Sequence, residues 1–253
     1  MHPKPEDRLI VALDVSSAAA AQKIVTALGD SVHIYKVGMQ LYTAEGPQVV
    51  RDLVSSGRQV FLDLKYHDIP NTVASAVREA AQLGVSMLTV HASGGEKMLR
   101  AAAENAQVAG VHARQNALQI LAVTVLTSMD QSDLEQTGIS GPLLEQVLRL
   151  ASTALHSGCA GIVSSAREVK SLRAKLGEDF LIINPGVRPI GTDHGDQARV
   201  VTPTEAIQAG ATHIVVGRPI TAAKDPASAA RAIQQEIRAA AGESSPTHVT
   251  STH

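Results

Sequence analysis

Short apolar, β-rich runs alternate with longer Ala-rich amphipathic runs from one end of the 253-residue chain to the other, eight times over. Runs such as Leu9-Ile10-Val11-Ala12-Leu13 and Leu181-Ile182-Ile183 are apolar on both faces of an extended strand, as expected of a parallel sheet covered by helices. Strands are predicted from Leu9 to Val15, His33 to Met39, Gln59 to Tyr66, Met87 to Ala92, Gln119 to Thr127, Gly161 to Ser165, Phe180 to Val187 and His213 to Ile220, with helices in the gaps. Eight such units in this length fit an α/β protein with a single (β/α)8 TIM barrel. A doubly wound open sheet is the competing architecture. It lacks its glycine-rich fingerprint here, because Leu13-Asp14-Val15-Ser16-Ser17 follows the first strand. Residues 9–241 are read as the catalytic barrel, residues 1–8 as an N-terminal extension and residues 242–253, polar and aperiodic, as a flexible tail.

Composition restricts the partners. Lys and Arg total 22 against 24 for Asp and Glu, the net charge is -2, and no long basic run occurs, so nucleic acid is not an expected partner. With two Phe, three Tyr and no Trp, the chain lacks material for a base-stacking platform. No apolar run approaches the roughly 18 residues that span a bilayer, so no membrane association is expected. The polar stretch Met1 to Arg8 has no hydrophobic segment behind it, which argues against a secretory signal. A lone Cys159 cannot form an internal disulfide and fits a reducing, cytoplasmic setting. A small molecule is the expected ligand.

Barrel enzymes build their sites at the C-terminal ends of the strands, so charges that end apolar strands are the informative ones. Asp14 ends the first strand, Lys36 lies late in the second, and Asp63 and Lys65 lie late in the third. Any one of them alone would pass for a strand-end residue turned to solvent. In Val60-Phe61-Leu62-Asp63-Leu64-Lys65, alternation puts Asp63 and Lys65 on one face and Val60, Leu62 and Leu64 on the other. If the apolar three pack on the helices, the charged pair faces the barrel mouth. The same parity turns Asp14 and Lys36 inward, predicting an alternating Lys/Asp network. Ammonium and carboxylate neighbours favour each other's charged forms, and a unit-charge contact at about 4 Å is worth roughly 4 kcal/mol at an effective dielectric near 20.

The seventh and eighth strands commonly frame a phosphate site. Here Asn184-Pro185-Gly186-Val187-Arg188-Pro189 precedes a polar loop, Ile190 to Gln197, and the eighth strand ends in Val215-Val216-Gly217-Arg218-Pro219. Gly217 permits close backbone approach to an anion, and Arg218 offers planar bidentate donors. Other polar residues carry bland readings. His67, His91 and His194 do not form a close ligand-spaced pair, and Asp193-His194-Gly195-Asp196 reads as a solvated loop, so no metal site is expected. Cys159 reads as buried and inert, while His248 and His253 lie in the tail.

The chain resembles the orotidine 5'-monophosphate decarboxylases, in particular their monofunctional prokaryotic form. The resemblance rests chiefly on Phe61-Leu62-Asp63-Leu64-Lys65-Tyr66-His67-Asp68-Ile69-Pro70-Asn71-Thr72. Support comes from Val11-Ala12-Leu13-Asp14, Tyr35-Lys36-Val37-Gly38, Val123 to Ser128, Pro185 to Pro189, Gly195-Asp196-Gln197 and Val216-Gly217-Arg218-Pro219. It implies a cofactor-free carboxy-lyase that converts orotidine 5'-monophosphate to UMP and CO2, the last step of de novo UMP synthesis, as a homodimer. It further implies that Lys65 is the proton donor, flanked by Asp63 and by Asp68 of the partner subunit. Asp14, Lys36 and the partner's Thr72 fall at ribose-side positions. Thr127, with Ser128 as the adjacent alternative, faces the pyrimidine. Gln197 bridges base and phosphate, and Arg188, Gly217 and Arg218 take the remaining substrate-binding positions. The rival within the same superfamily is a Mg2+-dependent sugar-phosphate decarboxylase or aldolase-like lyase, whose relatives carry an acidic metal ligand where Lys36 stands. A Schiff-base enzyme needs a lysine of lowered pKa, which flanking carboxylates oppose. A non-catalytic phosphate-ligand binder on the same scaffold would have no use for Lys65.

Overall fold

The computed structural model describes residues 3–113, 118–189 and 201–242. Eight parallel strands close into a barrel in sequence order: β1 (Leu9–Ala12), β2 (Ile34–Gly38), β3 (Gln59–Tyr66), β4 (Met87–His91), β5 (Gln119–Val123), β6 (Gly161–Val163), β7 (Leu181–Asn184) and β8 (His213–Val216), with β8 pairing back onto β1. The helices are α1 (Ala18–Leu28), α2 (Met39–Glu45), α3 (Gln48–Ser55), α4 (Pro70–Gln82), α5 (Gly95–Ala113), α6 (Gln131–Gln136), α7 (Leu143–His156), α8 (Val169–Leu176), α9 (Pro203–Gln208), α10 (Arg218–Thr221) and α11 (Pro226–Ala240). The TIM barrel expected from the alternation is therefore present.

Period-two alternation sorts the strand residues into two cores. Ile10, Ala12, Ile34, Phe61, Met87, Leu121, Val123, Val163, Ile183 and Val215 fill the barrel interior. Their neighbours Leu9, Val11, Tyr35, Val37, Val60, Leu62, Leu88 and Ile182 pack outward against the helices. Each fully buried aliphatic side chain contributes about 1.5–3 kcal/mol relative to exposure, so two continuous cores can offset a rim of charged groups. Gly161 shows how tight the interior is, since a Cβ there would collide with the carbonyl oxygen and Cβ of its register partner Leu181. At the floor, Arg8 is buried and donates to the carbonyl oxygens of Ala211 and Thr212, so the last residue of the N-terminal extension is built into the base of β8.

Most strands stop earlier than the apolar runs suggest. β1 ends at Ala12 rather than Val15, β2 at Gly38 rather than Met39, β4 at His91 rather than Ala92, and β5 at Val123 rather than Thr127. β6, β7 and β8 end at Val163, Asn184 and Val216 rather than Ser165, Val187 and Ile220. The physical causes are local. Pro185 has no N–H to continue a ladder, Pro219 sits in the first turn of α10, and the Ser165 side chain caps the turn Ala166–Glu168. The residues shed from the strands become the loops at the barrel mouth. Helices begin on comparable signals: Asp130 and Thr202 each form a reciprocal capping box, with Asp133 and Glu205 respectively.

Candidate active site

The inner face of β2 runs from Ile34 to Lys36 and that of β3 from Phe61 to Asp63, so one apolar layer lies directly beneath two charges. Lys36 Nζ donates to Asp14 Oδ1 at 2.9 Å and stands 3.7 Å from Asp63 Oδ2. Lys65 Nζ donates to Asp63 Oδ1 at 2.8 Å. The ionic chain thus runs Asp14, Lys36, Asp63, Lys65 from the loop after β1 across β2 and β3, with the last three side chains only 12%, 15% and 23% exposed. Buried ion pairs of this kind are weak sources of stability, because apolar replacements of similar volume are often neutral or stabilising. The cluster is better explained by chemistry than by folding.

Lys65 reaches this position by a route that simple alternation does not describe. β3 advances from Leu62 to Tyr66 while β4 advances only from Leu88 to Val90, so β3 bulges by two residues between these register pairs. Within the bulge Lys65 has φ +52°, the one left-handed non-glycine residue among those described, a conformation that costs about 1–3 kcal/mol. Thr89, fully buried on β4, compensates: its Oγ1 accepts from the Lys65 backbone N–H at 2.9 Å and donates to Asp63 Oδ1 at 3.0 Å. Asp63 and Lys65 therefore do point together, but through a bulge fastened by a threonine rather than through an unbroken pleat.

Two adjoining hollows open above the cluster and share Lys36, Asp63, Pro185 and Val215. The larger, about 440 Å³, is lined by Asp14, Gly186, Arg188, Gly217 and Arg218. The smaller, about 150 Å³, has walls of Phe61, Val123, Val125, Leu126 and Val163, with Lys65 and Thr127 at its edge. Ser128 does not line it. A narrow, mainly apolar slot beside a roomier polar one suits a flat heterocycle joined to a charged group. Asp68 and Thr72 are exposed and line neither hollow, and among the described residues Asp68 forms no ion pair; its Oδ1 accepts from the Ile69 N–H at 2.6 Å. Gln197 and His194 lie outside the described residues.

Three contributors escaped the reading of the sequence. Thr89 is the one hydroxyl of β4 and shares the inward parity of Met87 and His91, which is the signal that could have found it. Gly38 makes room for the ionic cluster, since a Cβ there would lie 2.9 Å from Lys36 Nζ and 3.4 Å from Asp14 Oδ1. His67 and His91, widely separated in sequence, bring their rings to a centroid distance of 5.4 Å. Burial chiefly lowers the His91 pKa, with His67 and Lys65 adding to the effect and Asp63 opposing it. Elsewhere, Cys159 is buried and its thiol is pushed up to about 12 by desolvation, and His213 is lowered to about 4 by burial at the opposite end of β8.

The sequence and the fold have counterparts among known proteins. The model of the Orotidine 5'-phosphate decarboxylase / HUMPS family matches residues 7–233. The chain belongs to this family. An orotidine 5'-phosphate decarboxylase of Moorella thermoacetica is 50% identical over 238 residues, 94% of each chain. One from Halorhodospira halophila is 52% identical over 92% of this chain and 97% of its own. The crystal structure of orotidine 5'-phosphate decarboxylase from Lactobacillus acidophilus superposes with a TM-score of 0.82 at 42% identity, covering 91% of this chain and 99% of that one.

The bulge geometry generates a direct expectation. Thr89→Val retains the side-chain shape but strands the Lys65 N–H and removes a donor from Asp63, so it should cost about 1–3 kcal/mol of stability. Thr89→Ser should remain near the parent. Chemical-denaturation midpoints check this, and a valine variant as stable as the parent would show that the hydroxyl does not hold the bulge.

Proposed function

We propose that this chain decarboxylates orotidine 5'-monophosphate to UMP and CO2, with Lys65 stabilising and then protonating the carbanion formed at C6 of the pyrimidine. The reading is carried by the Lys65–Asp63 pair at the edge of a narrow apolar slot, in a member of a family whose relatives at about half identity bear this activity in their names. When the C6–carboxyl bond breaks, its electron pair stays on C6 and CO2 leaves. The Lys65 ammonium interacts more strongly with that developing charge than with the neutral ring carbon, which is what lowers a barrier rather than merely tightening binding. It then transfers a proton to C6 and is reprotonated from solvent.

Other residues take supporting roles in this proposal. Asp63, held by Thr89 and Lys36, keeps the Lys65 ammonium at the slot. Asp14 and Lys36 bind ribose hydroxyls, Thr127 meets the pyrimidine, Arg188, Gly217 and Arg218 receive the phosphate, and Gln197, outside the described residues, is assigned the bridge between base and phosphate. Binding energy gathered at the phosphate, far from C6, then serves to position the ring. The catalytic unit in this proposal is the barrel of residues 9–241; residues 243–253 lie outside the described residues. A cytoplasmic setting accords with a single, buried Cys159.

Lys36 discriminates against the Mg2+-dependent sugar-phosphate reading. Its ammonium stands between the Asp14 and Asp63 carboxylates, where a divalent cation would need to bind. Turnover should therefore be insensitive to EDTA. Replacing Lys65 with Ala should leave the fold intact and remove turnover, measured as the fall in ultraviolet absorbance on adding orotidine monophosphate. Chelator-sensitive activity, or an active Lys65→Ala variant, would reject the reading.

The exposure of the segment Asp68 to Thr72, which includes Ile69 at 67%, supports a reading in which a second copy covers it. In the proposed homodimer Asp68 and Thr72 complete the neighbour's site. Mixing inactive Lys65→Ala and Asp68→Ala subunits, with exchange, should restore about a quarter of parental activity, because half the dimers are mixed and each has one intact site of two. No recovery despite demonstrated exchange would rule out a shared site.

A further inference from the structure

The His67–His91 pair closes the bulge that carries Lys65 at the end opposite Leu62 and Leu88. Tyr66 and Val90 re-establish the register between β3 and β4, and a histidine follows each: His67 just past the end of β3 and His91 as the last residue of β4. Their rings meet at 5.4 Å between centroids, tilted by 45°, within the range of a packed aromatic pair. The His67 ring is confined on a further side: a Cβ added to Gly94, in the turn Ala92–Gly94 after β4, would lie 3.3 Å from His67 Cδ2 and would collide with Met98. Gly94 is thus the residue that lets the loop pass close to the ring. His91 shares the inner-face parity of Thr89, yet neither histidine lines either hollow above the ionic cluster. Neither is therefore placed to touch a substrate bound there.

We infer that the packed rings of His67 and His91 act as a positioning clamp, locking the far end of the bulge so that the left-handed Lys65 presents its ammonium to the apolar slot. The inference rests on the reading of Lys65 as proton donor. Thr89 fastens the middle of the bulge through the Lys65 N–H, and the ring pair fastens its exit. Without the pair, Tyr66 and His67 are free to relax, and the left-handed residue is the one whose backbone gains most from relaxing. The work done by the histidines is steric, so an aromatic carbocycle should replace either ring. Burial holds the His91 imidazole toward its neutral form, which keeps an additional cation away from Lys65.

The test is His91→Ala beside His91→Phe, with kcat and KM measured separately and UMP-binding stoichiometry by calorimetry to count folded sites. His91→Ala should lower kcat by about 10- to 100-fold, as expected for a misplaced catalytic group, while KM moves little and stoichiometry stays complete. His91→Phe should recover most of the loss. Unchanged kcat in His91→Ala, a change confined to KM, or a loss that Phe does not recover would each overturn the clamp, the last by showing that an imidazole nitrogen is required. Should His91→Ala fail to fold, His67→Ala removes the same contact from the exposed side and carries the same expectation. A dead Lys65→Ala with a normal His91→Ala sinks the clamp alone, whereas an active Lys65→Ala sinks the underlying reading.

Discussion

The arrangement depends on one carboxylate. Asp63 accepts from Lys65 Nζ and from Thr89 Oγ1 on a single oxygen, and its other oxygen faces Lys36 Nζ. Removing any of these donors leaves a nearly buried charge short of a partner, which is costly in a low-dielectric setting. Conversely, Asp63 fixes the position of two ammonium groups that would otherwise repel each other. Catalysis by preorganised charge requires groups already in place when charge develops on the substrate, because reorienting them during the reaction would consume the benefit.

The barrel makes such an arrangement tolerable. Charges sit one layer above Ile34 and Phe61, on strands whose opposite faces are packed against helices, so the backbone beneath the cluster has little freedom. Local irregularity is confined to the mouth, where β3 bulges and the other strands give way to loops. The polar hollow near Arg188 and Arg218 and the apolar slot near Lys65 share Lys36 and Asp63, so a ligand anchored at one is registered against the other.

Much of this was legible from residue order. Eight alternations specify the barrel, and parity places Asp14, Lys36 and Asp63 on the inner face. Parity also gives the right direction for Lys65, though for an incomplete reason, because a bulge with a left-handed lysine has no signature in Asp63-Leu64-Lys65-Tyr66 itself. Strand ends were overestimated because an apolar residue reads the same whether it is the last in a ladder or the first in a loop. Thr89, Gly38 and the His67–His91 contact depend on which strands are neighbours and in what register, information held by the closed sheet and not by any one segment. Asp68 and Thr72 show the converse: their motif is plain in the sequence, and a single folded chain leaves them exposed at the rim.

Lys65 is proposed to act directly at C6. A crystal structure of the protein with bound UMP tests it most plainly. The pyrimidine should lie in the slot bordered by Phe61, Val125 and Thr127, with Lys65 Nζ within about 3 Å of the C6 position, the reach proton transfer requires, and the phosphate beside Arg218. A pyrimidine held in the slot with C6 turned away from Lys65, or bound outside the slot, would contradict it.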